Sequence, residues 1–237
     1  MSNASIVERA IELQDQAWNF QAEGKLEDAL IACRGAVRLM EESEGPDSPD
    51  VANLLIDLAE IESQGQNFVT ALVLAERAQA IADRLGHRFS GEDAARVRIR
   101  TLGLLGAIRR TLGDYARAET DLESVVATAA AEFGDASPEV AEARNNLGVL
   151  YKYLGRFDEA LILYEQALRS IDGESVEGAL IYHNIGGILH AQGNFAAAEE
   201  PARKAWHISR RLLGEEDRQT ILDAAAYAAV TRWPGKV

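Results

Sequence analysis

Five segments of this chain repeat one spacing of small and aromatic residues, and that repetition constrains the fold more than any single motif does. Aligning GKLEDALIACRGA, QNFVTALVLAERA, GDYARAETDLESV, GRFDEALILYEQA and GNFAAAEEPARKA puts Ala29, Ala71, Ala118, Ala160 and Ala198 in one column. By subtraction, successive alanines lie 42, 47, 42 and 38 residues apart. Three residues before each stands Leu26, Phe68, Tyr115, Phe157 or Phe195, and seven after each stands Ala36, Ala78, Val125, Ala167 or Ala205. Those offsets fall on one stripe of an α-helix. Upstream of every segment a second amphipathic stretch carries its own small column: Ala17, Ala59, Gly106, Gly148 and Gly186. Small groups there let two helix backbones approach closely.

Between the two stretches comes a turn with Gly24, Gly65, Gly113, Gly155 or Gly193, placed where a helix commonly ends on a residue of positive φ. Each unit is therefore a helix, a tight turn and a second helix. SPDVA at 48–52 and SPEVA at 137–141 open two of the units, with Ser48 and Ser137 as N-caps and Pro49 and Pro138 at the first helical position. These columns resemble those of the tetratricopeptide repeat over essentially the whole chain. NNLGVLYKYLGRFDEALILYEQAL at 145–168 is the best single match. The period near 42 and the linkers GPDSPDVA and GDASPEVA are similar to the kinesin-light-chain-like variety rather than the ~34-residue standard repeat. Departures are Gln16, where a leucine is usual, Arg109, where an aromatic is usual, and a longer lead-in to the third unit, GHRFSGEDAARVRIR.

The resemblance implies an all-α, right-handed α-solenoid: one array over 1–237 with hairpins at 5–42, 48–86, 91–133, 137–171 and 175–212. A single helix at 217–233 follows, with Ala228 in the small column and Gly235 at its turn. It caps the last apolar face of the array, or Tyr227 and Trp233 dock it onto a partner subunit or a further domain. Pro201, inside the last second helix, removes a backbone hydrogen bond and is expected to bend it.

Motifs of catalysis are missing. There is no GxxxxGK[ST], no GxGxxG after a strand, no HExxH and no CxxC pair. His183 and His190 lie seven residues apart, about 10 Å along one helix, too far to share a metal unaided. The single cysteine, Cys33, sits among Ala29, Leu30 and Ala36 and reads as buried filler. A formal charge of −14 argues against nucleic acid, which requires a basic surface. No apolar run approaches the ~20 residues of a membrane span, and no secretory leader is visible, so a cytoplasmic protein is expected. No enzyme activity, metal or cofactor is expected either.

What remains is binding. In this family the first helices line a concave groove, and the resemblance places Asp57, Glu60, Arg100, Arg110, Asn145, Asn146, Lys152, His183, Asn184 and His190 along it, with Gln14, Asp15 and Trp18 in the first repeat. RNNLG at 144–148 and YHNIG at 182–186 resemble the NNLA element, whose asparagines hold a bound peptide's backbone, which implies that role for Asn146 and Asn184. The first 90 residues carry 16 acids and 7 bases, so the front of the groove is acidic while the later repeats offer guanidinium, ammonium and amide groups. The expected ligand is a peptide or partner segment with acidic groups over repeats three to five, disfavoured at the front by Asp57 and Glu60. Two other readings stay open: a scaffold that self-associates through its C-terminal helix, and a regulatory array belonging to a larger multidomain enzyme or signalling ATPase.

Overall fold

A computed structural model describes residues 3–85 and 92–232. Among them are eleven helices and no strand: α1 Asn3–Ala22, α2 Leu26–Glu44, α3 Pro49–Gln64, α4 Phe68–Leu85, α5 Glu92–Leu112, α6 Tyr115–Phe133, α7 Pro138–Tyr153, α8 Phe157–Leu168, α9 Val176–Ala191, α10 Phe195–Leu213 and α11 Arg218–Thr231. Odd-numbered helices are the expected first helices and even-numbered ones the second. Trp233 and Gly235, named above, lie outside the described residues, as does the start of the third unit's lead-in at 86–91.

The helix ends follow from local chemistry. Ser48 accepts a hydrogen bond from the Val51 amide at 3.1 Å and Ser137 one from the Val140 amide at 3.3 Å, each followed by its proline at the first helical position. Ser175 and Asp217 cap α9 and α11 without a proline, accepting from the Gly178 and Gln219 amides. One turn departs from the expectation. Gly65 has φ −73°, and the left-handed residue of that turn is Gln66 at φ +63°. Gln66, not Gly65, stands two residues before the Phe68 column, as Gly24 does before Leu26. The hairpin's register thus sets which residue takes the left-handed conformation, even where a glycine is next door.

Both small columns do what close packing demands. Ala29, Ala71, Ala118, Ala160 and Ala198 are fully buried. A methyl added to Gly106 would meet the Leu122 side chain at 2.6 Å, and one added to Gly148 would meet the Tyr164 ring at 2.6 Å. Each of these glycines receives a large side chain from the second helix of its own hairpin. Burying a side chain of that size stabilises by roughly 1.5–3 kcal/mol, which only a residue without a Cβ permits at this distance. α10 runs from Phe195 to Leu213 through Pro201 as one helix.

The chain divides into two compact units, Met1–Thr128 and Ala129–Val237, with the division inside α6. In the first, hairpins α1–α2 and α3–α4 pack through α2 on α3, and α5 lies against α4 and α3. Its core gathers Leu54, Leu55, Ile56, Ile61 and Ile81 around the small columns. Cys33 is part of that core, its thiol pushed up to about 12 by burial, as suits packing rather than reactivity. In the second unit, hairpins α7–α8 and α9–α10 pack side by side, and α11 lies on α10 and α9. Val230 and Tyr227 of α11 close over Ala198, Ala202 and Leu189. No helix among the described residues is long and apolar enough to cross a membrane.

Candidate functional site

The first helices of each unit present successive rows of polar side chains, and the two units use them differently. In the first unit Arg100 on α5 reaches Asp57 and Glu60 on α3. Its Nη2 donates to Asp57 Oδ1 at 2.5 Å and to Glu60 Oε2 at 2.8 Å, and its Nε to Glu60 Oε1 at 3.0 Å. Asp57 is only 2% exposed, and its other oxygen accepts from Gln14 Nε2 on α1 at 2.6 Å. Three first helices are thereby tied across one face by a closed set of bonds.

This corrects the reading from sequence. Arg100 is not a cation held out for a ligand but pairs with both carboxylates of the expected acidic front, and the three together keep one net negative charge. Arg110 is half-buried and is also engaged within the chain. Arg109, one of the departures from the repeat pattern, is buried at 8% exposure and bonds Asp121 at 2.5 Å and Glu76 at 2.9 Å. A charged triad stands where an aromatic would otherwise fill the space.

In the second unit Asn184 on α9 donates from Nδ2 to Asn145 Oδ1 on α7 at 3.1 Å, and Lys152 Nζ donates to Asn184 Oδ1 at 3.4 Å. The three form a ladder: amide, amide, ammonium. Asn146 is half-buried beside it, and the amide that joins the ladder from α7 is Asn145. Lys152 differs from Arg100 in one decisive respect. Among the described residues no carboxylate faces its ammonium, and burial alone lowers its pKa from the ordinary lysine value. The nitrogen lies over the backbone of Gly187, 3.3 Å from where a Cβ would stand, so a side chain at 187 would crowd it.

His183 turns elsewhere. Its Nδ1 lies 2.6 Å from Oδ1 of Asp223, a fully buried carboxylate on α11 that also accepts from Ser209 Oγ at 2.6 Å and Gln219 Nε2 at 2.9 Å. His183 therefore fastens α11 to α9 rather than standing free for a ligand. Asp223 was missed in the sequence, although a lone acid inside the apolar run ILDAAAYAAV was a usable signal. His190 is exposed and meets Phe195 edge-on, ring centroids 5.1 Å apart. Among the described residues no three His, Cys, Asp or Glu side chains converge as a metal ion would need.

Comparison with known proteins gives the following. A tetratricopeptide-repeat family model matches residues 8–84 and 97–172, and a second tetratricopeptide-repeat model matches 179–219. The protein KINESIN LIGHT CHAIN-RELATED 3 of Arabidopsis thaliana is 29% identical over 148 residues, covering 62% of this chain and 22% of the relative, so the chain spans about a fifth of that protein's length. Among solved structures, BtubC (BKLC) from P. vanneervenii superposes with a TM-score of 0.68 at 23% identity, covering 91% of this chain and 92% of the other. A Rap protein complexed with Competence and Sporulation Factor superposes with a TM-score of 0.72 at 15% identity, covering 94% of this chain and 65% of the other.

Proposed function

The chain belongs to the tetratricopeptide-repeat family, and from that premise we propose that it binds another polypeptide along the first helices of its second unit, Lys152 receiving a carboxylate and Asn145 and Asn184 holding backbone. One observation carries the reading: two cations on the same kind of face are treated oppositely. Arg100 donates three hydrogen bonds to the carboxylates of Asp57 and Glu60, whereas Lys152 has a single amide oxygen at 3.4 Å and a burial that disfavours its charge. A partly dehydrated ammonium without a counter-ion gains more from an arriving carboxylate than an exposed or already paired one does. The amides beside it can donate and accept at once, which suits a peptide backbone of any sequence. The acidic requirement is thus narrowed to the ligand position that meets Lys152. The Rap protein, similar in fold, is complexed with Competence and Sporulation Factor, which supports a ligand-holding role for such an array.

The test is a peptide library sorted for binding, followed by affinities for Lys152→Met, Lys152→Arg and Asn184→Ala variants. A charged hydrogen bond of about 1.5–3 kcal/mol means that Lys152→Met weakens binding of carboxylate-bearing peptides roughly 10- to 150-fold, with Lys152→Arg retaining most of it. Equal affinity across all three variants overturns the proposal. A second reading, self-association through α11, draws on Ile221 at 56% and Leu222 at 46% exposure on that helix. A mass that rises with concentration and falls on Ile221→Glu supports it; a constant monomer mass rejects it.

A further inference from the structure

Within a net charge of −14, α10 is the one second helix with more cations than carboxylates. Helices α2, α4, α6 and α8 carry no more cations than carboxylates, whereas α10 carries Arg203, Lys204, Arg210 and Arg211 against Glu199 and Glu200. After Glu200 the helix has four cations and no carboxylate. These cations, with His207 and Ile208, line an open cleft of about 550 Å³ closed on one side by Glu174 of the α8–α9 connection. None of Asn145, Asn184 or Lys152 lines it, so it is a different place from the amide ladder.

The cations here are held loosely. Arg203 pairs with Glu200, Arg210 with Glu215 and Arg211 with Glu174, at 2.6, 2.6 and 2.7 Å, and every one of these six side chains is at least 42% exposed. Exposed pairs of this kind contribute little and exchange partners with water or another anion at small cost. The Lys204 ammonium sits 4.9 Å from the centroid of the Tyr182 ring. Arg210 and Arg211, in the last turn, complement the helix dipole, but Arg203 and Lys204, two turns earlier, gain nothing from it.

We propose that this cleft docks an acidic segment of a partner polypeptide, with several Asp or Glu side chains set along α10. The length decides the class of ligand. Arg203 and Arg211 are eight residues apart, about 12 Å along the helix axis, too far for one phosphate to bridge but matched by carboxylates spaced along a chain. A nucleic acid, whose charge continues past the cleft in both directions, meets the repulsion of the rest of a −14 molecule. Bidentate guanidinium–carboxylate bonds then replace the loose pairs with Glu200 and Glu174, which return to water.

The experiment measures anisotropy of a fluorescein-labelled oligoglutamate with the full chain at low salt. Saturable binding is expected, weakened roughly tenfold or more by Arg203→Glu with Arg211→Glu, and little changed by Arg9→Glu with Arg38→Glu, which alters net charge equally at exposed sites elsewhere. Should the first pair unfold the chain, Arg203→Gln with Arg211→Gln gives the same reading with a smaller loss. No binding, or equal weakening by both pairs, overturns the proposal. Displacement by millimolar inorganic phosphate, or tighter capture of an oligothymidylate, overturns the assignment to a polypeptide. If instead Lys152→Met abolishes binding and the α10 variants do not, the acidic segment sits on the amide ladder and the cleft is not its site.

Discussion

Replacing Gly148 with alanine tests the packing of the repeat at its most specific point. The new methyl would stand 2.6 Å from Cε1 of Tyr164, 3.0 Å from Cζ and 3.1 Å from Cδ1. Carbon atoms prefer about 3.5–4.0 Å, so ring and helix must separate by roughly 0.9 Å. Tyr164 is fully buried and has no open side to retreat to. In an uncrowded helix the same change stabilises by about 0.8–1.0 kcal/mol, because glycine is the poorer helix former. Overpacking of this size costs about 1–3 kcal/mol, so the net effect is a loss of up to ~2 kcal/mol. Gly103→Ala is the matched control: it lies inside α5, with nothing within 4 Å of its added Cβ, and should gain up to ~1 kcal/mol. The difference between the two variants removes helix propensity and isolates the contact at about 1–3 kcal/mol. Thermal unfolding followed by circular dichroism reads it, at ~2–4 °C per kcal/mol for a chain of this length. In a Tyr164→Leu background the Gly148→Ala penalty should vanish, which a double-mutant cycle measures directly. If Gly148→Ala is as stable as Gly103→Ala, or if its penalty survives removal of the ring, the close approach is not what the glycine is for.

Asp223→Ala strips Ser209, Gln219 and His183 of a common acceptor and should cost about 1.5–3 kcal/mol, seen as faster amide exchange in α11 with α1–α4 unchanged. Arg109→Ala leaves Asp121 buried without its counter-ion, at about 3–5 kcal/mol near neutral pH. Burial already raises the Asp121 pKa against the lowering effect of Arg109, and removing the arginine raises it further. A carboxyl whose folded pKa lies above its unfolded one loses stability as pH rises, so the Arg109→Ala deficit should be small near pH 4 and grow towards pH 7 in urea melts; a flat profile refutes the assignment. Ser137→Ala removes the cap of α7 and should cost about 0.5–2 kcal/mol, while Ser137→Gly costs only a few tenths.

Helices and their buried columns were legible because the signal is local: apolar residues at helical spacing, caps and turns are each read within a few positions. The left-handed residue at 66 rather than 65 needed the register between hairpins, which residue preference alone misjudged. Side-chain partnerships were harder, since they join first helices of neighbouring hairpins and so lie about one period apart. Gln14 and Arg100 each meet Asp57 across 43 residues, Arg100 meets Glu60 and His183 meets Asp223 across 40, and Asn184 meets Asn145 across 39. Read one residue at a time, Arg100 and Asp57 look like independent groove charges; read one period apart, they are a pair. The same interval counted forward from Lys152 reaches Ala191, Gln192, Gly193, Asn194 and Phe195, with no carboxylate among them. One turn back on its own helix stand Gly148 and Val149, which carry no charge either. Lys152 therefore has no carboxylate at either interval, whereas Arg100 has two one period away, and that contrast follows from the spacing of the sequence.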